Sequence, residues 1–374
     1  MEKKKLAVIC ASMGQWPLVS KANDMGIETH CFAWDKGDYS VCKAISGYYH
    51  PISILEKERI LEVCRDIQVD GITTIADEIS IPTICYVAKE MGLVANSEDS
   101  LVAINKYQSR QRFLSKGVNS PRFMIASPGM DVSMLSYPLI VKPTDRCGSR
   151  GVMKVEKAED LQNTIERAQQ YAFSKQAIVE EFVSGSEVSV ESISWKGQHY
   201  ILAITDKVTT GAPYFVELAH HQPSQHNLEI QEKICHETLR ALSALNIEYG
   251  ASHAELKINE DGCVYVIEVG PRMGGDEIGA CLVELSTGYD YLKGVVDVAL
   301  GMFEPPVIDK NKQMYSGIYY LCKETEHIKP IIENKNNDPR IMQTEFDDEE
   351  LRNIQTSADR NGYFIYQDTK KMIL

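Results

Sequence analysis

The chain lacks several features that would assign it to a class at once. It has no apolar run near the ~18 residues that a membrane helix needs, and its apolar opening, LAVICA, is short and has no small-residue cleavage site behind it. No membrane partner and no leader are expected. It also lacks an excess of basic charge: 39 Lys and Arg stand against 53 Asp and Glu, for a formal net charge of −14. Nucleic acid and anionic membrane surfaces would repel such a chain, so neither is an expected partner. The ten cysteines (Cys10, Cys31, Cys42, Cys64, Cys85, Cys147, Cys235, Cys263, Cys281, Cys322) lack the short paired spacing of zinc or redox sites. They read as reduced, mostly buried thiols of a cytoplasmic protein. No repeat or low-complexity tract is present.

What is there is an ordinary globular composition, with 44% hydrophobic and 25% charged residues. At 374 residues the chain exceeds the ~250–300 at which single cores stop growing, so two or three domains are expected. To about residue 100 the pattern alternates strand and helix: KLAVICA, GQWPLVSKANDMG, IETHCFAWD, ILEKERILEVCRDIQVDGITTIA, IPTICYVAKEMG. That alternation predicts a doubly wound parallel sheet. The ASMGQWP loop stands where such sheets bind ligands, but its single Gly14 makes no dinucleotide fingerprint. From residue 137 to about 270 strands dominate, with QEKICHETLRALSALNIEYG as the helix between them. Beyond 300, SGIYYLC and NGYFIYQD read as strands of a terminal lobe.

The segment SHAELKINEDGCVYVIEVGPRMGG, 252–275, contains Asp-Gly, a strong two-residue hairpin signal. With Asp261 and Gly262 as the central turn residues, Ala254 pairs with Val269, Leu256 with Ile267 and Ile258 with Tyr265, an apolar face. Glu255 then faces Glu268 on the other. Like charges within ~5.5 Å are destabilising, so a cation should lie between them. An oxygen-only donor pair favours a hard ion such as Mg²⁺; the alternative is neutralisation by Lys257 or Arg272. Arg272, beside Gly274 and Gly275, suits a carboxylate or phosphate.

A second stretch, YPLIVKPTDRCGSRGVMKV, places Lys142 at the end of a buried strand and then a glycine-punctuated turn. It is no Walker loop, since a strand rather than a helix follows. Gly148 and Gly151, with Ser149 and Arg150, would instead let a strand-to-strand turn bring backbone N–H groups to an anion; alone, a plain hairpin explains it as well. Strand alternation puts Glu187, Ser189 and Glu191 on one face, which a solvated surface would also explain.

Taken in order, Lys106, Lys142, the glycine loop, VEEFVSGSEVSVE, AELKI and VIEVGPRMGG give a sequence that resembles the ATP-grasp superfamily over residues 1 to about 300. It looks most like the carboxylate-amine ligases, amino-acid ligases among them, with carbamoyl-phosphate-synthase-type and biotin-carboxylase-type enzymes as broader relatives. The resemblance implies an α/β and α+β multidomain protein. Its parts would be a Rossmann-like domain over 1–100, an ATP-grasp domain over 101–300 with a lid at about 115–183, and a C-terminal lobe over 301–374. It implies that Lys106 and Lys142 contact phosphates of ATP and that the Gly148–Gly151 loop closes over them as a mobile lid. Glu180, Phe182 and Val183 would line the adenine pocket, Glu187 hold the ribose, and Lys207 meet phosphates. Glu255 and Glu268 would hold Mg²⁺, with Mn²⁺ as a substitute, and Arg272 position the acyl substrate. The implied partners are a small carboxylate and an amine; a homodimer is allowed. The chain departs from the family's E-x-N-x-R at Gly270, which cannot coordinate a metal and leaves two-metal stoichiometry open. A bicarbonate-using carboxylase and a nucleotide-binding regulator without catalysis are the alternatives.

Overall fold

The computed structural model describes residues 3–127, 129–347 and 350–374. The chain opens with β1 (Lys5–Ile9), α1 (Trp16–Asp24), β2 (Glu28–Phe32), β3 (Tyr48–His50), α2 (Lys57–Ile67), β4 (Gly71–Thr73) and α3 (Ile81–Met91). These strands form a parallel sheet in the order β3-β2-β1-β4, as the alternating pattern predicts. Parallel strands are covered on both faces and so read as continuous apolar runs; every residue from Leu6 to Ile9 is fully buried. In the ASMGQWP loop the Gln15 side chain turns inward and bonds both the N–H and the carbonyl of Ile75, while Met13 and Gly14 stay exposed.

Next come α4 (Lys106–Lys116), β5 (Phe123–Ile125), β6 (Leu139–Pro143), β7 (Met153–Val155), α5 (Ala158–Tyr171) and β8 (Ala177–Glu181). The Asn105 side chain caps α4 by accepting from the Gln108 N–H, and Gly117 at φ +68° ends it. The strands make a small antiparallel sheet, β5-β8-β6-β7, against which α5 packs Leu161, Ile165 and Ala168.

The remaining elements are β9 (Ser186–Trp195), β10 (Gln198–Thr209), β11 (Glu217–Gln222), α6 (Leu228–Ala244), β12 (Gly250–Ile258), β13 (Val264–Gly270), α7 (Val283–Thr287), α8 (Tyr291–Ala299), β14 (Tyr315–Leu321), α9 (Lys329–Glu333), β15 (Ile341–Phe346) and β16 (Gly362–Asp368). They build one eight-stranded antiparallel sheet, β13-β12-β9-β10-β11-β14-β16-β15. The strands read in SGIYYLC and NGYFIYQD are thus β14 and β16, and they continue the central sheet. β15 went unread because IMQTEF lies half in solvent and has little apolar alternation.

The hairpin turn differs from the expected one. Glu260 and Asp261 are its central residues and Gly262 follows at φ +72°, with the Asn259 N–H donating to the Cys263 carbonyl. That moves the register by one: Leu256 pairs with Val266 and Ile258 with Val264, not with Ile267 and Tyr265. A β-bulge between Glu255 and Leu256 restores it, so Ala254 faces Val269 and Glu255 faces Glu268 as read from the sequence. The extra residue is Ile267. A bulge re-aims a side chain, and here Ile267 and Glu268 both face the same cleft.

Candidate active site

The small sheet and the large one face each other across a cleft of about 1040 Å³. Its floor is written in rows across four paired strands. One row runs Lys207, Glu187, Lys257; the next runs Thr205, Ser189, Glu255, Glu268; a third runs Glu191, His253, Gly270. Ser189 and Glu191 are fully buried, so the Glu187, Ser189, Glu191 face is no solvated surface.

Both facing carboxylates have cations, though not those expected. Lys106 Nζ lies 2.8 Å from Glu268 Oε1 and donates to the Arg146 carbonyl at the start of the glycine loop. Lys207 Nζ lies 2.9 Å from Glu255, 2.8 Å from Glu187 and 3.3 Å from Glu217. Burial opposes the charge on Lys207, but Glu255, Glu187 and Glu217 raise its ammonium well above the usual range. Burial likewise opposes ionisation of Glu255, and Lys207 and His253 hold its carboxyl well below the usual range. His253 Nδ1 sits 2.5 Å from Glu191 Oε1, and Glu191 Oε2 accepts the Gly274 N–H at 3.1 Å. Although burial works against its charge, Glu191 pushes the imidazole up to about 9.

Above this floor Lys142 and Arg110 share one buried anion. Glu180 lies 2.6 Å from Lys142 Nζ and 2.6 Å from Arg110 Nε, and Arg110 also donates to the Ile267 carbonyl at 2.7 Å. Burial opposes ionisation of Glu180, and Arg110 and Lys142 overcome it; burial lowers the Lys142 ammonium, with Glu180 opposing that. Two cations on one anion leave an excess of positive charge in this buried cluster at the edge of the cleft.

The apolar part of the lining is formed by Ile140, Val152, Phe182, Val183, Phe215 and Ile267. Lys154 Nζ stands 4.3 Å from the centre of the Phe182 ring. The backbone N–H groups of Glu181 and Phe182 are committed to the carbonyls of Arg122 and Pro138, so neither is free to meet a ligand.

Every residue anticipated from the sequence lines this cleft except Arg150 and Gly151. Arg150 is exposed, and Gly151, at φ +77°, packs against Pro143 and the Tyr171 ring, where a Cβ would come within 2.9 Å of either. Arg110, Glu78 and Glu217 were missed. Arg110 stands four residues after Lys106 on one helix, so the same face was readable. Glu78 follows the C-terminal end of a parallel strand, where such sheets place ligand groups. The pairing of Glu217 with Lys207 across β10 and β11 carries no local signal.

Glu78 also accounts for Gly270. A Cβ at 270 would come within 2.9 Å of Glu78 Oε1 and 3.3 Å of the Arg272 guanidinium, and Arg272 Nη2 lies 2.7 Å from that same Glu78 oxygen. The space an asparagine would fill is taken by this ion pair. Two facing carboxylates fit Mg²⁺ as a partial, oxygen-only seat that phosphate oxygens would complete. Among the described residues no group of three or more His, Cys, Asp or Glu forms a self-sufficient metal site.

Residues 135–280 match the ATP-grasp domain family. The alanine–anticapsin ligase of Bacillus amyloliquefaciens is 27% identical over 277 residues, which is 64% of this chain and 58% of that protein. The D-alanine–D-alanine ligase of Geotalea uraniireducens is 26% identical over 196 residues, 50% of this chain and 62% of that one. These matches span less than two thirds of either relative's length. The L-amino acid ligase structure from Bacillus licheniformis superposes with a TM-score of 0.81 at 23% identity, covering 99% of this chain and 94% of that one. Among the described residues no helix is long and apolar enough to cross a membrane. Sequence match, shared architecture and the cleft between the two sheets lead to one conclusion: this chain carries an ATP-grasp domain.

Proposed function

We propose that the chain is an ATP-dependent carboxylate-amine ligase that forms ADP, phosphate and a C–N bond. The observation that carries this reading is the pairing of Glu255 with Glu268 opposite three buried lysines, with Arg272 at the strand end beside them. A carboxylate is a poor electrophile, because its charge is delocalised and an oxide leaves badly. In the proposed reaction a substrate carboxylate oxygen attacks the γ-phosphorus of ATP, the bond to ADP breaks, and an acylphosphate forms. The amine then attacks the acyl carbon, phosphate leaves with the C–O electrons, and the amine nitrogen loses a proton.

Lys106, Lys142 and Lys207 offset phosphate charge as the first step develops, in a site whose low dielectric strengthens each contact. Glu255 and Glu268 are the residues to hold Mg²⁺, which when bound neutralises phosphate oxygens. Arg272, steadied by Glu78, offers a planar fork to the carboxylate or the acylphosphate. The apolar lining formed by Phe182, Val183 and Ile267 suits the base, Glu187 stands for the ribose, and the Gly148–Gly151 loop excludes water that would hydrolyse the intermediate.

The test incubates the purified chain with ATP, Mg²⁺ and pooled amino acids or small acids, and follows ADP, phosphate and condensed product. ADP that appears only with an acid and an amine together supports the ligase. Dependence on bicarbonate moves the assignment to carboxylation, and tight ATP binding without turnover in any pool moves it to a regulator.

A further inference from the structure

The last seventy residues have no part in the chemistry above, yet one of their side chains reaches it. Arg360 closes the turn before β16, and its guanidinium is almost wholly buried. Its guanidinium carbon lies over the Tyr320 ring, 3.7 Å from its centre. One arm donates to the Glu217 carbonyl at 3.0 Å and to Glu217 Oε2 at 3.2 Å; the other donates to Asp276 Oδ2 at 3.0 Å. Glu217 is in turn the most distant of the three carboxylates on Lys207 Nζ. Asp276 lies four residues after Arg272, and it and Glu277 are consecutive non-glycine residues at positive φ, +55° and +60°, a conformation that persists only where the surroundings hold it. The Tyr320 hydroxyl, which donates to the Asp276 carbonyl at 3.0 Å, is the other clamp from the C-terminal strands.

We propose that Arg360 is a positioning residue of the nucleotide centre, acting through Glu217 on Lys207 and through Asp276 on the segment that follows Arg272. This rests on the ligase reading for what Lys207 and Arg272 do, and adds what sets their positions. The electrostatics give a direction. While Arg360 shares Glu217, that carboxylate draws only part of the Lys207 charge. Without Arg360 all of it falls on Lys207, which is held more tightly toward β11 and is less available to an incoming phosphate. A planar fork is needed because the two acceptors lie on different elements and lysine can reach only one of them well.

The test titrates the full-length chain with a non-hydrolysable ATP analogue and Mg²⁺ by calorimetry, beside steady-state ADP release. Arg360→Ala should weaken analogue binding about tenfold, within the coupling that neighbouring charges show. Arg360→Lys should fall between it and the native chain. Adding Glu217→Gln to R360A should tighten binding again, because the unshared charge is gone; a purely structural role would give no such recovery. R360A at native affinity with an intact near-UV CD spectrum, or a double variant weaker than R360A, overturns the proposal. Should R360A fail to fold, Arg360→Lys with and without Glu217→Gln carries the comparison, and the same recovery is expected. If the native chain releases no ADP with any substrate pool while the analogue series keeps its order, the ligase reading falls and the positioning role stands.

Discussion

Glu180 is 1% exposed and is the only carboxylate within ion-pair distance of either Arg110 or Lys142 among the described residues. Removing its charge leaves two buried cations facing each other, and breaking a buried pair in this way costs roughly 3–5 kcal/mol. Glu180→Gln should therefore lower the urea midpoint with little change in the slope of the transition, and Glu180→Gln with Lys142→Met should recover part of the loss. Glu268 behaves differently, because it is partly open to the cleft and Lys106 keeps the Arg146 carbonyl as a second acceptor. Glu268→Gln should leave the unfolding midpoint nearly unchanged and reduce ADP formation by about 100-fold or more, the scale of losing one preorganised electrostatic group. Native turnover in that variant would remove Glu268 from the metal assignment.

In the glycine loop, Gly148 and Gly151 both stand at positive φ, but only Gly151 is crowded: nothing lies within 4 Å of a Cβ at 148, while one at 151 meets Pro143 and Tyr171 at 2.9 Å. Gly148→Ala should cost about 1 kcal/mol from backbone conformation alone. Gly151→Ala should cost more and raise the KM for ATP as the loop is pushed off β6; equal effects of the two would argue against a seated loop. The hairpin permits a cleaner separation. Deleting Ile267 removes the bulge while leaving Glu268 opposite Glu255, so the chain should fold with its carboxylate pair intact. It should lose nucleotide affinity, because the Ile267 side chain and the carbonyl that accepts from Arg110 go together; nucleotide affinity unchanged in a folded deletion variant would show that Ile267 is not part of the grip. The same hairpin shows what was legible. The Glu255–Glu268 pair was read correctly through two departures that cancel, a longer turn and a compensating bulge. Apolar alternation marks a face but not a one-residue slip that another slip undoes. The parallel strands were legible because their signals are local. Glu217 and Arg360 are brought toward the site only through tertiary packing, which leaves no period in the sequence.

For the molecule as a whole, His221 sets an acid limit. It is buried between β10 and β14, bonded to the Tyr366 hydroxyl at 3.0 Å, and burial, with Lys371 and His220 adding to it, lowers its imidazole from 6.5 to about 3. The folded chain therefore refuses a proton that the unfolded chain accepts, so this contribution is present above about pH 6.5 and is lost as pH falls toward 3, by roughly 1.5 kcal/mol between pH 6.5 and 5. His221→Gln should flatten the dependence of the urea midpoint on pH over that interval; a slope equal to the native one would show that His221 does not supply it. The strand order has another consequence, for biosynthesis. β11 takes β10 on one side as a neighbour in sequence, but its other side waits for β14, and β14 for β16 near the end of the chain. While the ribosome is still making the residues between Gln222 and Tyr315, β11 stands as an unpaired edge beside Lys207, able to pair with any passing strand. The nascent chain is thus most exposed to misassembly after most of its nucleotide cleft has been translated, and only the last strands end that exposure.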